Sequence, residues 1–358
     1  MGHFHEPFVF GEGERAVTDP HVHFRDWNQS AKETVYHGML TGALAGFDVF
    51  FDMPNTDPAV TTRETVLRRI ELGVDAERKL ERQGHEMHYH LYCGITPDPV
   101  QIAEMVKTCR DFFPRVCGLK MFASQSTGNM GITAEESQAM IYRTLSGLGY
   151  TGVLAVHCEK EELFNLSATR HSDRRPPESE AQSVRDQIAF AESAGFQGTL
   201  HIAHISTKGA LDEVRSARAR GKIKVTCGAT PHHILLSREA ESPILKMNPP
   251  LRPEEDRLAV WNALFDETVD WIESDHAPHT LEDKKAGACG IPGFEGMLRL
   301  ICALRAAAMP ECRLNALLCT NALSAFGIDE KSSTVPMVTD EMIESAGSAY
   351  PFSAWENC

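Results

Sequence analysis

The chain alternates between short apolar runs and longer stretches in which apolar residues recur at helical spacing. The apolar runs, rich in β-branched residues, span residues 15–23, 48–55, 87–96, 116–122, 153–159, 199–206, 223–231 and 269–276. Helical periodicity marks residues 33–45, 62–82, 99–110, 134–148, 178–194, 208–220 and 254–265. Repeated strand–helix alternation predicts an α/β protein with the (β/α)8 TIM-barrel fold, for which about 250 residues is typical.

An open, doubly wound sheet is the alternative for such a pattern. That fold needs a phosphate-binding Gly-x-Gly-x-x-Gly after an early strand. The nearest segment, Gly11-Glu12-Gly13, precedes the first predicted strand. We therefore predict one barrel over residues 15–330, an N-terminal extension over 1–14, and a C-terminal tail over 331–358 packed on or near the barrel. Because no further strand-rich segment is evident, an accessory β-sandwich is not expected. Residues 171–177 are polar and contain two prolines, which predicts a surface loop.

Composition and net charge limit the kinds of molecule that the chain is expected to bind. The 358 residues carry a formal net charge of -15, which disfavours nucleic acid and anionic membranes, so the expected partner is a small molecule. An anionic substrate would need a local cation. The absence of a long apolar run or a signal-like N-terminus predicts a cytoplasmic protein. Ten cysteines without a Cys-x-x-Cys pair suggest neither a zinc knuckle nor a disulfide framework.

The first predicted strand ends in candidate metal ligands. Residues two apart in an extended segment point to the same side, so His21 and His23 can direct two imidazoles at one point. Arg25 keeps the same parity and places a planar cation beside them, which could hold a carboxylate through two hydrogen bonds.

Further ligand-capable residues close other predicted strands: Lys120, His157, His204 and Asp275. Barrel enzymes build their sites at the carboxyl ends of strands. Four histidines and a carboxylate suit zinc best, with cobalt or manganese as alternatives. The set is too large for one tetrahedral ion, which implies two metals roughly 3.5–4 Å apart. Lys120 as an ammonium could not bind a cation, but its carbamate, formed with CO₂, could bridge two.

Each of these residues also has a structural interpretation. Single histidines in apolar runs, such as His157 and His204, are often satisfied core residues, and Asp275 could cap a helix. Their shared position favours the metal interpretation. His201 and the pair His232-His233 are predicted to be structural, since the site is already full. His276 points away from Asp275 along a strand and is predicted to pack.

Nine segments together resemble the dihydroorotases of the amidohydrolase superfamily, in that family's order from about residue 18 to 326. They are Asp19-Pro20-His21-Val22-His23-Phe24-Arg25, Met53-Pro54-Asn55-Thr56, Gly118-Leu119-Lys120-Met121-Phe122, Ser126-Thr127-Gly128-Asn129-Met130, Val156-His157-Cys158-Glu159, His201-Ile202-Ala203-His204-Ile205-Ser206-Thr207, Thr230-Pro231-His232-His233, Met247-Asn248-Pro249-Pro250-Leu251-Arg252 and Ser274-Asp275-His276-Ala277-Pro278-His279.

The resemblance implies a zinc-dependent cyclic amidohydrolase acting reversibly between dihydroorotate and N-carbamoyl-L-aspartate in pyrimidine biosynthesis. One zinc would be held by His21, His23 and Asp275, and the other by His157 and His204. Carboxylated Lys120 and a hydroxide would bridge the two ions. Asp275 would also act as general base and then general acid.

The resemblance also implies the substrate contacts. Arg25 and Asn55 would meet the substrate carboxylate, Asn248 and His279 the ring or the carboxylate, and backbone near Gly293 the ring amide. After Arg25 the chain departs from the family pattern with Asp26-Trp27-Asn28-Gln29, which leaves the substrate preference open.

Two other functions stay open at this point. Another cyclic amidase, a dihydropyrimidinase or allantoinase, would have no use for a cation at Arg25, because its rings need carry no carboxylate. A catalytically inactive barrel that scaffolds a pyrimidine-pathway partner would be expected to have lost ligands, whereas all six positions are filled. A homodimer and an association with aspartate transcarbamoylase are further expectations from the resemblance.

Overall fold

Eight parallel strands lie side by side in the order of the chain. The computed structural model describes residues 17–125, 130–328 and 334–355. The strands are β1 Thr18–Val22, β2 Val49–Asp52, β3 His88–Gly94, β4 Val116–Phe122, β5 Val153–His157, β6 Thr199–Ile202, β7 Lys224–Ala229 and β8 Trp271–Ile272. A parallel bridge joins Val22 to His276, and the His23 amide donates to the His276 carbonyl at 2.7 Å. These contacts bring the last strand back to the first, so the predicted barrel is confirmed.

The helices surround the sheet. They are α1 Val35–Leu44, α2 Arg63–Glu81, α3 Pro99–Phe112, α4 Glu135–Gly147, α5 His171–Arg174, α6 Pro177–Ala194, α7 Lys208–Arg220, α8 Pro231–Leu235, α9 Glu254–Phe265, α10 Leu281–Lys285, α11 Phe294–Ala306, α12 Glu311–Asn315, α13 Asn321–Phe326 and α14 Asp340–Ser348. Every predicted helix is present with ends within two residues of the prediction. Local signals explain the ends: Thr62 caps α2 with its side chain, and Gly195 ends α6 in the left-handed region (φ 62°), where glycine carries no steric penalty.

Seven of the eight strands are shorter than the apolar runs that predicted them, and β4 matches its run. The largest difference is β8, which was expected over 269–276 and contains only Trp271–Ile272. Beyond Ile272 the Glu273 side chain accepts from the backbone amide of His204, and the backbone at Asp275 turns into the left-handed region (φ 50°). Residues 273–276 are polar but stay buried, and they no longer form a continuous strand ladder.

The barrel interior is filled from its amino-terminal end by aromatic side chains. Phe51 and Tyr92 project inward from β2 and β3, and Trp271 does so from β8. Helix α13 covers this end, where Phe326 packs edge-on against Phe51 with ring centroids 4.7 Å apart. This end of the barrel interior is therefore a packed core.

The described part of the C-terminal tail lies against the barrel. Helix α14 packs on α1 and α11, and the buried Trp355 contacts Gly296 so closely that no larger residue would fit there. The hydroxyl of Tyr350 donates to Glu33 at 2.5 Å and lies 3.1 Å from His276 Nε2. All strands of the described residues belong to the barrel sheet, and residues 1–14 lie outside that part of the chain. None of the described helices is both long and apolar enough to cross a membrane.

Candidate active site

A cavity opens at the carboxyl ends of the strands. It is lined by His21, His23, Arg25, Asn55, Phe122, His157, His204, Asn248, Asp275, Ala277, Cys289 and Gly290. Eight of the eleven predicted site residues are in this lining. The remaining three, Lys120, His279 and Gly293, lie outside this lining.

The first candidate ligand group brings His21, His23 and Asp275 together. One ligand atom from each lies within 4.8 Å of the others, and all three residues are buried. His23 Nε2 is 2.9 Å and His21 Nε2 is 3.5 Å from the same carboxylate oxygen of Asp275. Burial alone would raise the pKa of the Asp275 carboxyl, but its contact with His23 and the other surrounding imidazoles hold that pKa well below its ordinary range. The carboxylate is therefore an anion that a cation can bind.

The second group is the pair His157 and His204. His157 Nδ1 faces His204 Nε2 at 3.2 Å. Burial lowers the pKa of both imidazoles, so both rings are neutral at pH 7. Two nitrogens bound to one tetrahedral zinc at about 2.0–2.1 Å would lie about 3.3 Å apart. The observed spacing fits that arrangement.

Neighbouring acceptors set the orientation of three of these rings. Asn55 Oδ1 accepts from His23 Nδ1 at 2.6 Å, and Glu159 Oε2 accepts from His157 Nε2 at 3.0 Å. Glu273 Oε1 lies 3.4 Å from His21 Nδ1. When one ring nitrogen donates outward, the other keeps its lone pair for the cavity, which is how metal-binding histidines are usually oriented.

Lys120 lies inside β4, two residues before its end, and not at the strand end that the sequence predicted. Its side chain is fully buried, and its Nζ has no hydrogen-bond partner within the described residues. Burial lowers the pKa of the ammonium to about 8 despite the nearby Glu273 and Asp275. An unpaired buried ammonium is costly, so this position suits a modified or otherwise neutralised lysine.

Two candidate ligands sit on strained backbone. His204 has φ 40° and Asp275 has φ 50°, in the left-handed region that side chains other than glycine seldom adopt. Such strain persists only where the surroundings impose it, and it concentrates at functional sites. Both residues lie just beyond a strand end, where the chain has left the β6 and β8 ladders.

Glu273 is a site residue that the sequence reasoning missed. Its carboxylate accepts from Trp271 Nε1 at 3.1 Å and lies 3.2 Å from His201 Nε2, besides its contacts with His21 and the His204 amide. Burial raises its pKa, but His21 and His201 outweigh burial and keep the carboxyl ionised. The sequence did contain a signal for Glu273: it precedes Asp275 by two residues, so in an extended segment both carboxylates point to the same side. His201, which was predicted to be structural, contacts Glu273 and is not part of the cavity lining.

Arg25 provides a buried cation at the edge of the cavity. Its Nε donates to the Pro278 carbonyl at 3.3 Å, and its Nη1 has no partner among the described side chains. The segment that holds it is anchored by Arg69, which donates to the carbonyls of Phe24 and Arg25 and pairs with Asp52 at 2.7 Å. Arg25 is thus held firmly, with donor capacity left for an anion.

The two remaining substrate candidates do not line the cavity. His279 is occupied on both nitrogens, by the Cys289 carbonyl at 3.0 Å and by Lys32 Nζ at 3.3 Å. The Gly293 amide donates to His276 Nδ1 at 3.0 Å, so it is not directed at a ligand. The glycine-rich loop instead reaches the cavity through Cys289 and Gly290. His276 itself stacks on Phe294 at 4.3 Å, as its predicted packing role required.

Three further expectations can be compared with the structure. Trp27, in the segment that departs from the family pattern, lies beneath Arg69 at 5.2 Å and is not part of the cavity lining. The predicted surface loop 171–177 is wrong in part, because Ser172 is buried and Arg175 pairs with the buried Glu159. The motif residues Ser126–Asn129 lie outside the described residues.

The chain is similar in sequence to several curated dihydroorotases. No sequence-family model matches the chain. It is 36% identical over 295 residues to the dihydroorotase of Lactiplantibacillus plantarum, covering 77% of this chain and 63% of the relative. It is 33% identical over 290 residues to the dihydroorotase of Thermococcus kodakarensis, covering 80% and 61%. The chain thus spans about three-fifths of the length of the curated relatives that it matches.

Solved structures share the barrel. An L-hydantoinase (dihydropyrimidinase) from Arthrobacter aurescens superposes with a TM-score of 0.76 at 20% identity, over 91% of this chain and 74% of that one. A dihydroorotase from Campylobacter jejuni superposes with a TM-score of 0.68 at 19% identity, over 89% and 85%. At these identities the likeness concerns the fold alone.

Proposed function

Since the chain is a homologue of the dihydroorotases, matching them at 31–36% identity over about four-fifths of its length, we propose that it interconverts dihydroorotate and N-carbamoyl-L-aspartate. This is the ring-closing and ring-opening step of pyrimidine biosynthesis. The main support for the proposal is Arg25, whose buried guanidinium has an unpaired Nη1 and lies beside a cluster of histidines. Such a cation suits a ring that bears a carboxylate.

The chain's own residues would hold two zinc ions. His21, His23 and Asp275 would bind one ion, His157 and His204 the other, and carboxylated Lys120 would bridge them. The unpaired Lys120 Nζ and the facing nitrogens of His157 and His204 support this assignment. When bound, the ions supply Lewis acidity and lower the pKa of water from about 15.7 towards about 7.

Asp275 performs the proton transfers in this proposal. Water adds to the ring amide carbon, and the ionised Asp275 carboxylate takes its proton. As the carbon–nitrogen bond breaks, Asp275 returns that proton to the departing ring nitrogen. The new carboxyl group releases the second proton of the water to solvent, so the product carries two carboxylates, one newly formed and one held by Arg25. Ring closure follows the same steps in reverse.

Arg25, Asn55 and Asn248 would hold the substrate. All three line the cavity. Arg25 would pair with the carboxylate, and Asn248 would contact the ring. His279 and Gly293 would act indirectly, because His279 lies 3.5 Å from Arg25 Nη2 and the Gly293 amide supports His276.

Turnover of three rings tests the substrate. We expect the zinc-loaded protein to open dihydroorotate much faster than dihydrouracil or allantoin, which lack the carboxylate. Faster opening of dihydrouracil or of allantoin would instead identify another cyclic amidase of the same fold.

Elemental analysis tests the metal centre separately. We expect about two zinc ions per chain, and an intact-protein mass that exceeds the sequence mass by one CO₂ together with the metals. Metal-loaded protein without the added CO₂ would contradict the role of Lys120. Absence of metal would support a scaffold instead. The homodimer, the association with aspartate transcarbamoylase and the cytoplasmic location stay predictions.

A further inference from the structure

The segment between β5 and α6 reaches two separate parts of the cavity wall. The sequence predicted a surface loop over 171–177, but residues 171–174 form the short helix α5, and the chain on either side of it turns inward. His171 and Arg175, at the two ends of this helix, contact different site residues. The segment therefore has contacts that a solvent-exposed loop does not need.

Arg175 supports the metal side. Its guanidinium holds Glu159 through Nε, at 3.0 and 3.1 Å from the two carboxylate oxygens, and through Nη2. Glu159 is fully buried and accepts from His157 Nε2. Burial raises the pKa of the Glu159 carboxyl, but Arg175 and His157 outweigh it and keep the group ionised. Without Arg175, the charge that fixes the His157 tautomer would be buried with only the more distant Arg252 (3.9 Å) to balance it.

His171 supports the substrate side. Its Nε2 lies 3.0 Å from the Met247 carbonyl and 2.9 Å from Asn248 Oδ1. A carbonyl only accepts, so Nε2 carries the proton, and burial keeps the ring neutral by lowering its pKa. The Asn248 oxygen is thereby occupied, and the group that Asn248 can offer to the cavity is its NH₂ donor.

We propose that His171 and Arg175 are positioning residues of one segment, which fixes the metal ligand His157 through Glu159 and turns the donor side of Asn248 towards the substrate. The inference rests on the proposed function and deepens it. With Arg25, Asn248 then presents donors only, so the segment selects rings whose carbonyl and carboxylate oxygens accept hydrogen bonds. A ring presenting a donor at that position would meet the wrong group.

Zinc affinity tests the Arg175 half without any turnover. Competition with a chromogenic chelator is used on the apo full-length chain. Arg175→Met is expected to weaken zinc binding about 10- to 100-fold, the usual cost of removing such support. Arg175→Lys keeps a charge beside Glu159 and should recover part of the loss, while His171→Phe should bind zinc as the wild type does.

The KM for dihydroorotate tests the His171 half. His171→Phe is expected to raise KM about 5- to 10-fold, the size of one lost hydrogen bond, with a smaller change in kcat. His171→Gln retains a donor for Met247 and Asn248 and should recover most of the affinity. Leu166→Ala, a change at a 74% exposed side chain of the same segment, is the matched control and should alter neither readout.

Measuring both zinc affinity and KM in both variants distinguishes a positioning role from a general loss of stability. Loss of zinc affinity in Arg175→Met and of substrate affinity in His171→Phe, each with the other readout unchanged, supports the inference. Equal loss of both readouts in both variants, accompanied by a lowered Tm, overturns it, as does wild-type behaviour of both. If the wild type fails to open dihydroorotate, the proposed function fails, and the zinc measurement still decides the Arg175 contact.

Discussion

Replacing Arg25 by methionine removes the cation on which the substrate assignment depends. Methionine keeps much of the side-chain stem and removes the guanidinium. In the structure that guanidinium makes a hydrogen bond of 3.3 Å to Pro278, a contact of 3.5 Å with His279, and none through Nη1. Little of its donor capacity is used by the protein, so the main loss in the variant should fall on a bound anion.

The expected size follows from the hydrogen bonds that a carboxylate would make. A hydrogen bond to a charged group contributes about 1.5–3 kcal/mol, so a two-point contact with Arg25 contributes about 3–6 kcal/mol. Since about 1.4 kcal/mol corresponds to a factor of ten, kcat/KM for dihydroorotate should fall by at least about 100-fold. Most of that change should appear in KM, because the carboxylate is held alike before and during the reaction.

Steady-state kinetics with two substrates provide the assay. Dihydroorotate should lose at least about 100-fold in kcat/KM, whereas residual turnover of the uncharged dihydrouracil should change less than about threefold. Zinc content and Tm, measured in parallel, should stay near the wild-type values. Equal losses for both rings, or loss of bound zinc, would refute the carboxylate role of Arg25.

Three other predictions concern catalysis, the buried ion pair and pH. Asp275→Asn should keep the far-ultraviolet circular dichroism of the wild type and lose ring opening, because no carboxylate remains to move the proton; near-normal turnover would contradict the mechanism. Arg69→Met should lower the free energy of unfolding in urea by about 3–5 kcal/mol, because it leaves the buried Asp52 carboxylate without its partner; a loss below about 1 kcal/mol would be inconsistent with that pairing. Burial raises the pKa of Glu180 from 4.5 to about 7, so the unfolded chain loses this proton first and stability should fall as pH rises through that window. The Glu180→Gln variant lacks this dependence. Relative to the wild type, its free energy of unfolding in urea should rise by up to about 3 kcal/mol between pH 4.5 and pH 8. A difference between the two proteins that stays constant with pH would argue against the raised pKa.

The fold was predictable because each barrel unit carries a local signal. Strands buried on both faces appear as short apolar runs, and each helix shows its own period. The prediction failed at strand ends such as 273–276, where polar residues stay buried after the continuous strand ladder has ended. The point at which a ladder ends depends on contacts with residues far away in the sequence.

The candidate ligands were predictable because the carboxyl ends of parallel strands meet at one end of the barrel. The residues that orient them were harder to predict. Glu159 lies two residues after His157, so parity could have found it, but Glu273 reaches His21 and the His204 amide only through the tertiary structure. Arg175 lies in a polar stretch typical of a surface loop. Gly293 illustrates the converse: its loop reaches the cavity, but the tertiary structure turns that particular amide towards His276.

The dinuclear centre can be tested by titrating the metal-free protein with zinc while following the ring opening of dihydroorotate. Activity is expected to rise with added zinc and to saturate at about two ions per chain, in the presence of bicarbonate to carboxylate Lys120. Saturation at about one ion per chain, or full activity in Lys120→Ala, would contradict the dinuclear centre. Absence of dihydroorotate ring opening at every zinc level would contradict the proposed function itself.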